Sequence, residues 1–379
     1  MKFDTLLNAS TRVLPALVAL VLMVGCAGGP ERPMPAELAP NAGLLGVRLA
    51  WTAKVGSIEF PLAVKVNGHL VAVAGSDGVV AEFDARSGAE LWRTNVGSPI
   101  AAGVGSEGQV AAVVTRSNEL IVLGGGREIW RQRLSAQSFT APLVAGGRVF
   151  VLAADRSVAA FDGASGRKLW TQQRLGESLV LRQGGVLLAV GDTLVAGLSG
   201  RLVGINPSSG TIRWEVPIAS PRGTNDIERL VDLVGPASRD GNVVCARAFQ
   251  AAIGCVDASR GTLLWSKAAY GSIGVQGDEK HVFGVESDGK LVAWRRASGE
   301  RAWVSDRLLY RSLTAPLVVG RSVAVGDGTG LLHLLSRDDG SALTRVQTDG
   351  EALVATPVLV AGTLVVVSRS GGIFGFKPE

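Results

Sequence analysis

The sequence predicts an all-β fold, an eight-bladed β-propeller with four-stranded antiparallel blades, on three observations. A frame of the form Asp-x-x-x-Gly-x-x-x-Trp recurs along the chain, as in Asp84 to Trp92 and Asp162 to Trp170. Between these frames lie short apolar runs separated by Gly, Asp and Asn, the pattern of strands joined by tight turns. The composition fits: 50 glycines and 47% apolar residues among 379, with 19% charged, require a chain that buries much of itself. The net charge of +5 is modest and no basic run exceeds a pair such as Arg295-Arg296, so no nucleic-acid footprint is present.

Residues 1–25 read as a signal segment. Lys2 and Arg12 precede an apolar run from Val13 to Gly25, too short to span a bilayer. It ends in Met23-Val24-Gly25-Cys26, which resembles the lipobox of bacterial lipoproteins, with Met23 departing from the usual leucine. That resemblance implies cleavage before Cys26 and a lipid on its thiol; the alternative is an ordinary secretory signal. Residue 27 is Ala rather than Asp, which by the same resemblance implies sorting to the outer membrane. Past residue 25 no apolar run is long enough for a spanning helix, so the body is expected to be soluble.

Residues 26–45 are expected to be a lipidated flexible tether. Pro30, Pro33, Pro35 and Pro40 stand among glycines with few large apolar side chains, and such a stretch builds no core. About 20 residues in polyproline geometry, at ~3.1 Å each, would reach on the order of 60 Å.

Residues 46–379 carry the repeats. With tryptophan as the ruler, copies fall at 51, 92, 130, 170, 214, 265, 303 and 344, where Thr344 replaces the tryptophan; the intervals run from 38 to 51 residues. A period near 40 holding four short strands is a propeller blade. In one copy, Ile58–Lys65, Leu70–Ala74, Val79–Asp84 and Ala89–Arg93 are expected as strands, with turns at Asn67-Gly68, Ser76-Asp77-Gly78 and Ala85-Arg86-Ser87-Gly88. Each tryptophan is expected to pack between neighbouring blades. The ends are out of phase: an outer strand at Trp51 has nothing before it, and the last copy, Leu353 to Lys377, lacks an outer strand. Joining them closes the eighth blade and leaves no open edge.

The repeat frame resembles that of quinoprotein dehydrogenases, propellers that bind pyrroloquinoline quinone, and this is the enzyme alternative. Such enzymes need vicinal cysteines, calcium ligands and long insertions. Here 326 residues from Trp51 to Phe376 leave about 41 per blade, nearly all of it strand and turn. His69, His281 and His333 stand in three different repeats, and Gly124-Gly125-Gly126 lies in a hairpin turn rather than before a helix. No catalytic residue, cofactor or metal ligand is assigned.

Size, repeats and lipobox together resemble the BamB family, lipoprotein subunits of the outer-membrane β-barrel assembly (BAM) machinery. Two segments carry most of the likeness. Ser178-Leu179-Val180-Leu181-Arg182 matches the family's Leu-x-Leu-Arg segment, and Gly223 to Asp232 is similar to its Gly-x-Thr-Glu-Ile-Asp-Arg-Leu-x-Asp run. The resemblance implies a non-catalytic scaffold whose partners are the periplasmic domains of BamA, other BAM subunits and unfolded barrel clients. Leu179 and Leu181 would be apolar contacts, Arg182 a charged anchor and Asp232 an acidic one. Val234 stands where the family carries a second aspartate, which weakens the acidic half. Read from the residues alone, the leucines could instead form the inward face of a strand.

Cys245 and Cys255 flank a turn at Phe249-Gln250-Ala251 that would set them opposite each other in a hairpin. A disulfide and two buried free thiols both remain open.

Overall fold

A computed structural model describes residues 33–174, 179–221, 224–225 and 229–379. Cys26, Ser178, Gly223 and residues 226–228 lie outside the described residues. Among the described residues the strands form eight four-stranded antiparallel sheets, each in chain order except the last. In that sheet β1 (Val47–Lys54) pairs with β32 (Gly372–Pro378), and β31 (Thr363–Val367) and β30 (Val358–Val360) complete it. The expected closure is therefore the one that forms, with Leu49 opposite Phe376 and Ala53 opposite Ile373.

The first complete blade is β2 (Lys65–Asn67), β3 (Leu70–Ala74), β4 (Val79–Asp84) and β5 (Glu90–Asn95). Its innermost strand corrects the sequence expectation. Ile58–Val64 is not a strand but a loop entering from the previous blade, with Pro61 in it and a single bridge from Leu62 to Gly103. The innermost strands of five blades hold only three residues, whereas Ile100–Glu107 and Leu233–Asp240 in the same position hold eight.

The core lies between blades. One buried cluster joins Val71, Val73 and Phe83 of the first blade to Val365, Val367 and Ile373 of the last, and seven further clusters repeat the arrangement. Each buried Val or Ile adds roughly 1.5–3 kcal/mol over an exposed one. Both faces of the middle strands are consequently apolar, which accounts for the low charge content.

The turn before each outer strand needs a glycine in the left-handed region, and the tryptophan of the preceding blade covers it. A Cβ on Gly166 would come within 2.6 Å of the Trp130 ring, and one on Gly210 equally near Trp170. Trp130 Nε1 donates to Gly163 O at 2.9 Å and Trp170 Nε1 to Pro207 O at 3.0 Å. Trp92, which faces the shortened turn at Gly124–Gly126, donates instead to Glu82 of its own blade.

By strand order, every turn between a second and third strand emerges on the same face as every loop between blades. We call this the upper face. The remaining turns lie on the lower face.

The second half of the expected tether is docked. Ala36–Leu45 belongs to the same compact unit as the propeller and runs along the outer edge of β29 (Ala342–Gln347). Asn41 and Arg345 exchange hydrogen bonds of 3.1 and 3.0 Å, Leu44 N donates to Leu343 O, and Leu38 packs on the cluster around Leu308 and Leu313. Contrary to the expectation of no open edge, β29 ends its sheet and presents unpaired backbone groups, some of which the segment satisfies.

Candidate partner-binding site

The upper face brings together loops from three successive blade junctions. The first, after β9 (Arg127–Arg133), carries Phe139. The second joins β13 (Lys168–Gln173) to β14 (Leu187–Val190) and carries Leu179 to Arg182. The third joins β17 (Ile212–Pro217) to β18 (Leu233–Asp240) and ends in Asp232. The two segments singled out in the sequence are thus neighbours in space.

No strand forms over 179–183, so the leucines are not an inward strand face. Leu179 is 39% exposed, whereas Leu181 is half-buried and lines a cleft of about 60 Å³ with Leu152, Leu198 and Leu233. Arg182 is exposed, its guanidinium 5.6 Å from the centre of the Phe139 ring. That geometry is a cation–π contact, which holds the charge at the rim of the apolar patch.

Asp232 sits differently from its expected place as an acidic anchor. Its carboxylate turns inward: Oδ2 accepts Leu181 N at 3.1 Å and Oδ1 accepts Arg156 Nη1 at 2.9 Å. Arg156 also donates to Leu179 O at 3.0 Å and to Ser199 Oγ at 2.6 Å. A buried Arg–Asp pair therefore grips the backbone of the Leu179–Leu181 segment from both ends. Val234 is buried in β18 beside it, where a second carboxylate would need a further partner.

Sequence reasoning missed Arg156 and Phe139. Arg156 had a readable signal. It occupies the upper-face turn position held by Gly78, Gly200, Gly289, Gly330 and Gly371 in other blades, and it takes the same left-handed backbone, φ 63°. A long charged side chain in a glycine slot costs about 1 kcal/mol or more, and the bonds to Asp232 and Leu179 offset it. Phe139 offered no such mark.

The three histidines stay apart in the structure. His69 is exposed near Asp84, His281 packs at a tilt against Phe283, and His333 is buried against Asp327 in the seventh blade. Cys245 and Cys255 face each other across β19 (Val243–Ala248) and β20 (Ala252–Asp257) and are joined by a disulfide.

The family of the outer membrane protein assembly factor BamB matches residues 76–305. The assembly factor BamB of Burkholderia pseudomallei is 37% identical over 369 residues, covering 95% of this chain and 96% of that protein. That of Bordetella pertussis is 35% identical and covers 94% of each. Among solved structures, BamB from Moraxella catarrhalis superposes with a TM-score of 0.79 at 24% identity, over 87% of this chain and 99% of that one. Quinohemoprotein alcohol dehydrogenase from Comamonas testosteroni shares the fold, with a TM-score of 0.68 at 14% identity over 90% of this chain and 78% of its own. The chain belongs to the BamB family of outer membrane protein assembly factors.

Proposed function

We propose that Leu179, Leu181 and Arg182 form the surface by which this chain grips the periplasmic domains of BamA. Family membership makes the chain a non-catalytic assembly factor of the BAM complex and sets the dehydrogenase alternative aside. The observation that carries the finer reading is the gripped loop. Leu179 and Arg182 project outward from a segment whose backbone is fixed by Asp232 and Arg156. An apolar centre with a charged rim, already ordered before binding, loses little entropy on association. Asp232 acts here as a positioning residue and not as a contact. The chain is held at the membrane by lipid on Cys26, and through BamA it helps organise unfolded barrel proteins for insertion alongside other BAM subunits.

The test is affinity capture of BamA periplasmic domains by the purified propeller. Arg182→Glu combined with Leu179→Ala is expected to abolish capture while leaving the thermal transition unchanged. Capture that survives both changes places the site elsewhere.

A further inference from the structure

The chain holds two tyrosines, Tyr270 and Tyr310, and both are exposed on the upper face, 61% and 42%. They stand on either side of one turn, Glu286–Lys290 of the sixth blade. Tyr270 N bonds the Glu286 carboxylate, Ser287 N donates to Tyr270 O at 3.0 Å, and Tyr310 N donates to Asp288 O at 2.9 Å. The two rings are therefore carried by backbone that the same turn holds rigid. Their sector adjoins, but does not include, the loops bearing Leu179 and Asp232.

The docked segment ends in this sector. Ala36 N donates to Leu309 O at 2.9 Å, next to Tyr310, and Ala36 O accepts from Arg311 Nη1 at 3.0 Å. Arg311 is itself held by Asp327 at 2.8 Å and Thr329 at 2.9 Å. Lower down, Arg345 Nη1 holds Ala39 O at 2.7 Å. Any tether thus leaves the propeller from the upper face beside Tyr310. From Cys26 to Ala36 is ten residues, which in polyproline geometry reach only about 30 Å, half the distance expected for a tether free up to residue 45.

We propose that the sector bearing Tyr270 and Tyr310 meets the lipid surface, so that one face of the propeller serves both the membrane and, in the neighbouring sector, the protein partner. Tyrosine suits this place because its ring enters the headgroup layer while its hydroxyl stays wet. The short reach and the fixed exit point present this sector, and not the lower face, to a bilayer. The proposal rests on the lipid anchor at Cys26.

The experiment uses the full lipidated chain in vesicles of phosphatidylethanolamine and phosphatidylglycerol containing nitroxide-labelled lipid. A fluorophore is placed at Tyr270→Cys, Tyr310→Cys or, as the lower-face control, Ser208→Cys. Flotation with the vesicles reports the anchor independently of the fluorophore, so a chain that fails to float overturns the anchor itself. In floating protein, quenching at 270 and 310 is expected to exceed that at 208 severalfold. Equal quenching at the three positions, or none, overturns the proposal, as does quenching at 270 and 310 that develops only when BamA domains are added. Releasing the segment with Leu38→Asp and Arg345→Ala is expected to erase the difference between faces; a difference that persists overturns the orienting role of the segment.

Discussion

Trp303 covers Gly340. A Cβ on that glycine would lie 2.7 Å from the indole, and Trp303 Nε1 donates to Arg337 O at 2.9 Å within the same turn. The relation joins the sixth blade to the seventh, and the covering of a turn glycine by tryptophan recurs at each earlier junction back to Trp51 and Gly88. It also accounts for Thr344. The next turn would have to join β32 to β1, but these are the last and first strands in chain order and are not consecutive, so a tryptophan at 344 would have no glycine turn to cover. Thr344 is buried, and Leu38 to Ala42 of the docked segment line the space beside it.

Gly340→Ala is expected to destabilise the propeller by about 2–3 kcal/mol, from a left-handed φ of 72° plus the clash with indole. Trp303→Ala is expected to cost about 3–5 kcal/mol. Thr344→Trp is expected to gain nothing. Urea denaturation followed by tryptophan fluorescence ranks the three, and a stabilised Thr344→Trp would contradict the account of that junction.

Asp232 and Arg182 are expected to separate. Asp232→Ala leaves Arg156 buried without its carboxylate, so it should lower stability by roughly 3 kcal/mol and weaken BamA capture by loosening the loop. Arg182→Glu should abolish capture without moving the thermal transition, since its side chain is exposed. Calorimetry beside capture decides; equal thermal losses in both variants would show that Arg182 is structural.

Asp327 is expected to make the seventh blade acid-sensitive. Burial alone would raise its pKa, but bonds from His333, from the N–H groups of Leu331 and Thr329, and from Arg311 outweigh it and hold the carboxyl well below its ordinary 3.8. Because that carboxylate is ionised, His333 Nε2 donates to it at 3.0 Å. A depressed folded pKa gives stability that is present above the ordinary value and lost as pH falls below it. Asp327→Asn should therefore be less stable at neutral pH and show a shallower loss of melting temperature from pH 4 downward. Parallel curves for the two proteins would remove Asp327 as a source of acid sensitivity.

The Cys245–Cys255 bond closes a loop of sequence separation 10, and chain entropy assigns such a bond about 2–3 kcal/mol. Replacing both cysteines by serine is expected to lower the urea midpoint accordingly. Alkylation under denaturing conditions without reductant should leave both sulfurs unmodified; labelled thiols in that sample would refute the bond.

The blade count, the closure by the first strand and the turn glycines were legible because they rest on local chemistry repeated eight times. Asp84, Gly88 and Trp92 announce a turn and an outer strand wherever their frame occurs, since each sets the conformation of its own few residues. The length of the innermost strands was not fully legible: Ile58–Val64 is apolar enough to be a strand, but Pro61 has no N–H to give a ladder and the segment is a loop. The role of Asp232 was likewise hidden. A carboxylate in a loop reads as a surface charge until Arg156, 76 residues away in sequence, is placed beside it.

The sequence by itself determined the architecture and the family, because repetition turns a weak local signal into a strong one. Tertiary structure alone decided where the loops and residues 36–45 lie. Which charges point outward, where Ala36 leaves the propeller, and which face carries both tyrosines depend on contacts between residues far apart in the chain. No pattern within one repeat encodes those contacts, since the same antiparallel blade can carry any loop on its upper face.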